Sequence, residues 1–229
     1  MRYVLNHIPK DTPQNRRPEY FMAPTTITIH NTANLTSTAA NERSWLTNPA
    51  NKAQASYHIV VDEREAIECI PLNENAWHAG DGSGAKSGNR TSIGVEICES
   101  GNYAKTLDNA ASLVAQMLKD RGWGVDRLRR HFDWSGKICP RLMYDDGKWT
   151  GWFAFKASVQ RKLDEMKGAA AKVEIPKATV MYDGVKAQDA VIIDGSVYVP
   201  LRYIAERVGA NVAWDNTKKI ATITSKERG

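Results

Sequence analysis

No stretch of this chain approaches the roughly 20 consecutive apolar residues that a membrane-spanning helix requires, although 42% of its 229 residues are hydrophobic. The first residues, Met1 to Pro9, contain neither an apolar h-region nor a small-residue cleavage site, so export by the general secretory route is not expected. Cysteine is scarce. Cys69, Cys98 and Cys139 are an odd number and cannot all pair, which argues against a disulfide framework; the first two lie in apolar, strand-like runs and read as buried thiols. Charge of one sign is also lacking. The net +5 divides into about +2 for residues 1 to 165 and about +3 for the remainder. Such a field suits an anionic polymer, and no nucleic-acid-binding motif accompanies it. The Gly-rich run 80 to 88 fails as a phosphate loop because Ala85 separates Gly84 from Lys86. No His-Glu-x-x-His helix is present, which disfavours the zinc peptidases that use one.

What is present is a succession of short strands and helices. Four prolines, at 9, 13, 18 and 24, make the first segment read as an extended arm. Thr25 to His30 alternates polar and apolar residues as a strand does, and Asn31-Thr32 breaks the pattern. A helix is expected over Thr38 to Leu46, a hairpin from Ser56–Asp62 and Ala66–Ile70, and a strand over Ser92 to Cys98. Apolar residues at 107, 110, 111, 114, 117 and 118 define one face of a helix over Thr106 to Arg121, with Thr106 as cap, and a further helix spans Trp149 to Met166. The fold class is therefore α/β: a mixed central sheet flanked by helices, followed by a small α+β C-terminal domain. The boundaries expected are 1–166, a linker over 167–176, and 177–229.

The chemistry concentrates in His131-Phe132-Asp133-Trp134-Ser135-Gly136-Lys137-Ile138-Cys139. An imidazole and a thiol suit zinc, and a hydrolytic zinc site has three protein ligands with one position left for water. His30, rigidly held at a strand end, is the best third ligand. On spacing alone His131 and Cys139 could equally be unrelated.

Three separated motifs in fixed order decide between these readings. TITIHNT, NRTSIGVEIC and HFDWSGKICPRLM resemble the zinc-dependent N-acetylmuramoyl-L-alanine amidases, the type-2 amidases of phage endolysins and bacillus-type autolysins, over about the first two-thirds of the chain. The resemblance implies one Zn²⁺ per chain on His30, His131 and Cys139. It implies Glu96 as general base, with Val95 and Ile97 turned to the opposite sheet face, and Lys137 as the cation that meets developing oxyanion charge. Tyr57 matches a position that is tyrosine in some relatives and phenylalanine in others. His58, next on the strand, should face inward. Trp77 and His78 are candidate substrate contacts, one for stacking on a sugar and one for hydrogen bonding. Asn89 and Arg90 are also candidates, although Arg90 could equally form a surface salt bridge. His7 has no supporting context.

The implied activity is hydrolysis of the amide between N-acetylmuramic acid and L-alanine in peptidoglycan, by a phage or prophage endolysin of a gram-positive host. Such an enzyme is made in the host cytoplasm and released to act on the wall. The alternative is a peptidoglycan-recognition module that binds without cutting; in such relatives the Cys ligand is typically replaced, whereas Cys139, Glu96 and Lys137 are all present here. The C-terminal sequence VIIDGSVYVPLRYIAERVGANVAWDNTKKIATI resembles the small stalk domain named after the N-terminal region of copper amine oxidases. It holds no His or Cys and so offers copper no soft ligand. Its expected partners are a cell-wall polymer or another copy of the chain. Neither nucleic acid nor membrane insertion is expected.

Overall fold

The computed structural model describes residues 1–170, 176–187, 189–193 and 195–225. The chain forms two compact units, Met1–Ala169 and Ala170–Gly229. In the first, the elements follow in the order β1 (Arg2–Leu5), β2 (Thr26–Asn31), α1 (Ala39–Thr47), β3 (Ile59–Val61), β4 (Glu65–Glu68), α2 (Gly88–Thr91), β5 (Ser92–Ile97), α3 (Tyr103–Asp120), β6 (Leu128–Arg130), α4 (Phe132–Ser135) and α5 (Thr150–Ala170).

The six strands make one mixed sheet in the order β1-β4-β3-β5-β2-β6. Strands β3, β5, β2 and β6 run parallel to one another, β4 is antiparallel to β3, and β1 is parallel to β4. Alternation along the strands sorts the side chains between two faces. Ile27 and Ile29 of β2, Ile93, Val95 and Ile97 of β5, and Ile59 and Val61 of β3 enter a core with Ala110, Val114 and Leu118 of α3 and Trp152, Phe155 and Val159 of α5. On the other face Val60, Ile67 and Tyr57 pack with Ala39 and Leu46 of α1. Thr28, His30, Ser92, Gly94 and Glu96 alternate with the first set, so the polar positions of β2 and β5 share the face opposite α3 and α5.

Several element bounds differ from expectation for identifiable reasons. The N-terminal arm is not wholly extended coil: Arg2–Leu5 is an edge strand, mostly exposed, with no alternation to mark it. Helix α3 starts at Tyr103 because Asn102, not Thr106, accepts the Lys105 amide at 3.1 Å; Thr106 is buried inside the helix. Trp149 cannot open α5, since its φ of +57° is left-handed. The helix starts at Thr150, whose amide and hydroxyl donate to the Asp145 carboxylate at 2.9 and 2.6 Å. It runs on to Ala170, through the first residues assigned to a linker. Residues 171–175 of that expected linker lie outside the described residues.

The second unit comprises β7 (Met181–Tyr182), β8 (Val185–Lys186), β9 (Val191–Ile193), β10 (Ser196–Tyr198), α6 (Leu201–Arg207), β11 (Ala210–Asp215) and β12 (Ile220–Ser225). Its strands pair as three separate two-stranded ribbons. Strand β8 is too short and exposed for alternation to mark it, and Asp194 lies outside the described residues. Pro200 caps α6, and Gly209 follows it at a φ of +79°.

Arg16, fully buried, ties the N-terminal segment to the loop after α1 by donating to the carbonyls of Ala53 (2.8 Å), Leu46 (3.0 Å) and Asn51 (2.6 Å). Removing its donors strands three carbonyls, so Arg16→Met should lower the unfolding free energy in urea by about 2–4 kcal/mol. A loss below ~0.5 kcal/mol, the range of ordinary surface changes, would show that the clamp does not matter.

Candidate metal centre

The register of three neighbouring parallel strands assembles the site. His30 pairs with Glu96 across β2 and β5, and Ile29 pairs with Arg130 across β2 and β6. One residue further on, His131 therefore stands beside His30. The chain then turns through α4, reverses at Gly136 (φ +75°), and returns so that the Phe132 amide donates to the Cys139 carbonyl at 3.2 Å. This closed loop explains the spacing of His131 and Cys139. It is pinned to the sheet by Trp134, whose indole donates to Thr28 Oγ1 at 2.8 Å. Gly88 leaves room for that indole, since a Cβ there would lie 2.6 Å from the Trp134 ring.

The metal-binding atoms of His30, His131 and Cys139 all lie within 4.8 Å of one another. His131 Nδ1 is 3.1 Å, and Cys139 Sγ 3.7 Å, from His30 Nδ1. Burial, with the neighbouring histidines adding to it, holds His30 well below its ordinary pKa; burial, then Lys137, takes His131 down to about 4. Both imidazoles are thus neutral, as ligation demands. Burial, then Glu96, pushes the Cys139 thiol up to about 12, so it becomes a thiolate only beside a cation. Two neutral imidazoles and a thiol converging away from water fit a zinc ion.

These residues floor a groove of about 710 Å³ that Trp45, Tyr57, Trp77, Glu96 and Lys137 also line. One Glu96 oxygen, Oε2, is buried without a hydrogen-bond partner among the described residues. Desolvation first, then the like charge of Glu42, pushes this carboxyl up to about 8, with Lys137 acting in the opposite direction. Lys137 itself is exposed at the groove. Tyr57 is buried and donates to the Glu42 carbonyl at 2.8 Å; burial, then Glu42, raises its hydroxyl well above the usual value. Trp77 forms part of the wall, its indole donating to the Asn15 carbonyl at 2.8 Å.

His78 and Asn89, expected to meet substrate, are largely buried, with His78 among the residues that line the groove and Asn89 lining a neighbouring pocket beside Trp77. Both His78 ring nitrogens are engaged, with His30 Nε2 at 3.1 Å and the Ser92 carbonyl at 3.0 Å. The Asn89 amide is occupied by the backbone of His78, Ala79 and Gly82. Arg90 lies over the Tyr20 ring at 4.8 Å; among the described residues it pairs with no carboxylate, and it does not line the groove. His58 is buried as expected, bonded to the Gly94 amide and the Glu74 carbonyl, both at 2.9 Å. Glu42 was missed. Its signal was its place between Ala39 and Leu46 at helical spacing on the buried face of α1, where a carboxylate is rare.

Comparison with known proteins agrees with this geometry. Residues 20–142 match the family described as N-acetylmuramoyl-L-alanine amidase, and residues 179–229 match the copper amine oxidase N-terminal domain. The N-acetylmuramoyl-L-alanine amidase XlyB of Bacillus subtilis (strain 168) is 49% identical over 150 residues, covering 64% of this chain and 44% of that protein. The solved catalytic domain of XlyA superposes with a TM-score of 0.62 at 40% identity, over 69% of this chain and 99% of that one. A mutant endolysin from Bacillus subtilis gives a TM-score of 0.61 at 41% identity, over 69% and 97%. The chain spans about half the length of the curated relatives it matches. With more than half of its residues inside the family match and a cluster of His30, His131 and Cys139 at the strand ends, the chain belongs to the N-acetylmuramoyl-L-alanine amidase family.

Proposed function

We propose that this chain is a zinc-dependent peptidoglycan hydrolase that cleaves the amide between the lactyl group of N-acetylmuramic acid and L-alanine of the stem peptide. The observation that carries the reading is the convergence of His30, His131 and Cys139 on the floor of a groove, beside the partnerless carboxyl oxygen of Glu96. A zinc ion held by those three residues would supply Lewis acidity and a water of lowered pKa. Glu96 takes the proton of the attacking water and returns it to the leaving alanine nitrogen, a role suited to a carboxyl whose pKa lies near neutrality. The Lys137 ammonium faces the oxygen on which negative charge develops. Tyr57 and Glu42 form the wall behind Glu96, and Trp77 offers an aromatic face to a sugar ring. The similarity to an endolysin and to an amidase of Bacillus subtilis supports an endolysin acting on a gram-positive wall.

Residues 1–166 are taken as the catalytic part and 177–229 as a second module. Among the described residues, the buried side chains of that module are all alanines, Ala187, Ala190, Ala205 and Ala210, while Val197, Trp214, Ile220 and Ile223 are exposed. Two-stranded ribbons in so small a unit need a further surface to pack on, which supports self-association. No helix among the described residues is long and apolar enough to cross a membrane.

Digestion of purified sacculi should release new N-terminal alanine without new reducing sugar ends. Chelation should abolish the release and zinc restore it, and Glu96→Ala should slow turnover by about 10²–10⁴-fold. Cut glycan strands would refute the assignment. Glu96→Gln has a second signature in metal-free protein. The folded carboxyl holds its proton up to about 8 against a reference of 4.5, so wild-type stability falls as pH rises through that window. The glutamine variant, though inactive, should therefore be more stable than wild type at pH 8–9 by about 1–3 kcal/mol, the gap closing toward pH 4.5. An equal gap at both pH values would show that Glu96 is not desolvated. For the second module, sedimentation of the full chain should reveal a concentration-dependent dimer that W214S/I223T dissociates; a monomer throughout would remove the association reading.

A further inference from the structure

The hydrogen bonds around His78 fix more than its own position. Its Nε2 lies 3.0 Å from the Ser92 carbonyl, which can only accept, so Nε2 carries the hydrogen and Nδ1 presents a lone pair. That lone pair faces His30 Nε2 at 3.1 Å, which must therefore be the protonated nitrogen of His30. The bare nitrogen of His30 is then Nδ1, the atom that faces His131 Nδ1 and Cys139 Sγ. A carbonyl on β5 thus dictates, through one imidazole, which nitrogen of a second imidazole is free to bind metal.

The surroundings hold His78 in this task. Its backbone amide and that of Ala79 both donate to Asn89 Oδ1 at 2.7 Å. One asparagine therefore ties down the backbone that carries the His78 ring, and with it the support of His30. Gly94 provides the space: a Cβ there would lie 2.7 Å from His78 Cγ. His58 closes the far side, its ring 5.7 Å from that of His78 and itself fixed by the Gly94 amide and the Glu74 carbonyl.

We propose that His78 is a positioning residue of the metal centre, which locks His30 with Nε2 protonated and Nδ1 aimed at the ion, and that Gly94 exists on β5 to admit its ring. The inference rests on the zinc reading above. It assigns His78 no contact with substrate. Outer partners of metal-ligating histidines are ordinarily carboxylates, carbonyls or water, and their loss costs about 10–100-fold in metal affinity; here the partner is an imidazole whose own proton is committed to a carbonyl.

The test measures Zn²⁺ affinity by chelator competition, and the visible spectrum of the Co²⁺-loaded full chain, for wild type, His78→Leu, His78→Asn and Gly94→Ala. Leucine cannot accept from His30, so its zinc affinity should fall about 10–100-fold with an altered cobalt spectrum. Asparagine, whose Oδ1 replaces the accepting Nδ1, should recover most of the loss. Gly94→Ala should behave like the leucine variant although the imidazole is still present. Long-range ¹H–¹⁵N spectra of zinc-loaded wild type give an independent readout that needs no variant to fold. His30 and His78 should both be protonated on Nε2; a proton on Nδ1 of His78 would overturn the proposal. So would wild-type affinity and spectrum in His78→Leu. If wild type itself takes up neither zinc nor cobalt, the fault lies with the three-ligand reading instead.

Discussion

A parallel register shared by three neighbouring strands is the constraint on which the site depends. Because β6, β2 and β5 are aligned residue for residue, His131, His30 and Glu96 emerge in a row where the strands end. Parallel strands deliver their termini to the same edge of a sheet, and crevices there are where open α/β sheets place their chemistry. A slip of one residue in β2 would send His30 into the helical core and Ile29 into the groove. The isoleucines and valines facing α3 and α5 prevent that slip, so the apolar face of the sheet enforces the geometry of the polar one.

Desolvation then sets the chemical state of what the register assembles. Burial takes His58 and His131 down to about 4 and His78 to about 3, and holds His30 low as well. Four of the five histidines in the chain are consequently neutral and able to divide their nitrogens between donating and accepting. The same burial raises Glu96 and Cys139. A divalent cation among these groups would reverse the cost of ionising the thiol and the carboxyl together.

The legible parts of this structure were those where one face of an element differs sharply from the other. Thr26-Ile27-Thr28-Ile29-His30 announced its strand because isoleucine alternates with polar residues, and the apolar spacing of residues 107 to 118 announced α3. Strand β1 was hidden, since an exposed edge strand has no buried face to create a pattern. Roles resting on hydrogen-bond direction were not legible either. His78 and Asn89 look, as letters, like any polar pair beside a loop, and only the positions of Ser92, His30 and Ala79 reveal that both point inward. Arg16 gave no signal because its partners are backbone carbonyls some 30 residues away. His30, His131 and Cys139 stood out by residue type and order, whereas Glu42, the carboxylate beside Tyr57, lay within an ordinary helical sequence.

The indole of Trp77 donates to the carbonyl of Asn15, in the segment that precedes β2. One flank of the cleft is therefore held from two directions, the Trp77 backbone by Ser56 and its indole by the proline-punctuated beginning of the chain. A chain that keeps His30, His131 and Cys139 but begins differently would hold this flank elsewhere, so the shape of the groove can diverge without any change on its floor.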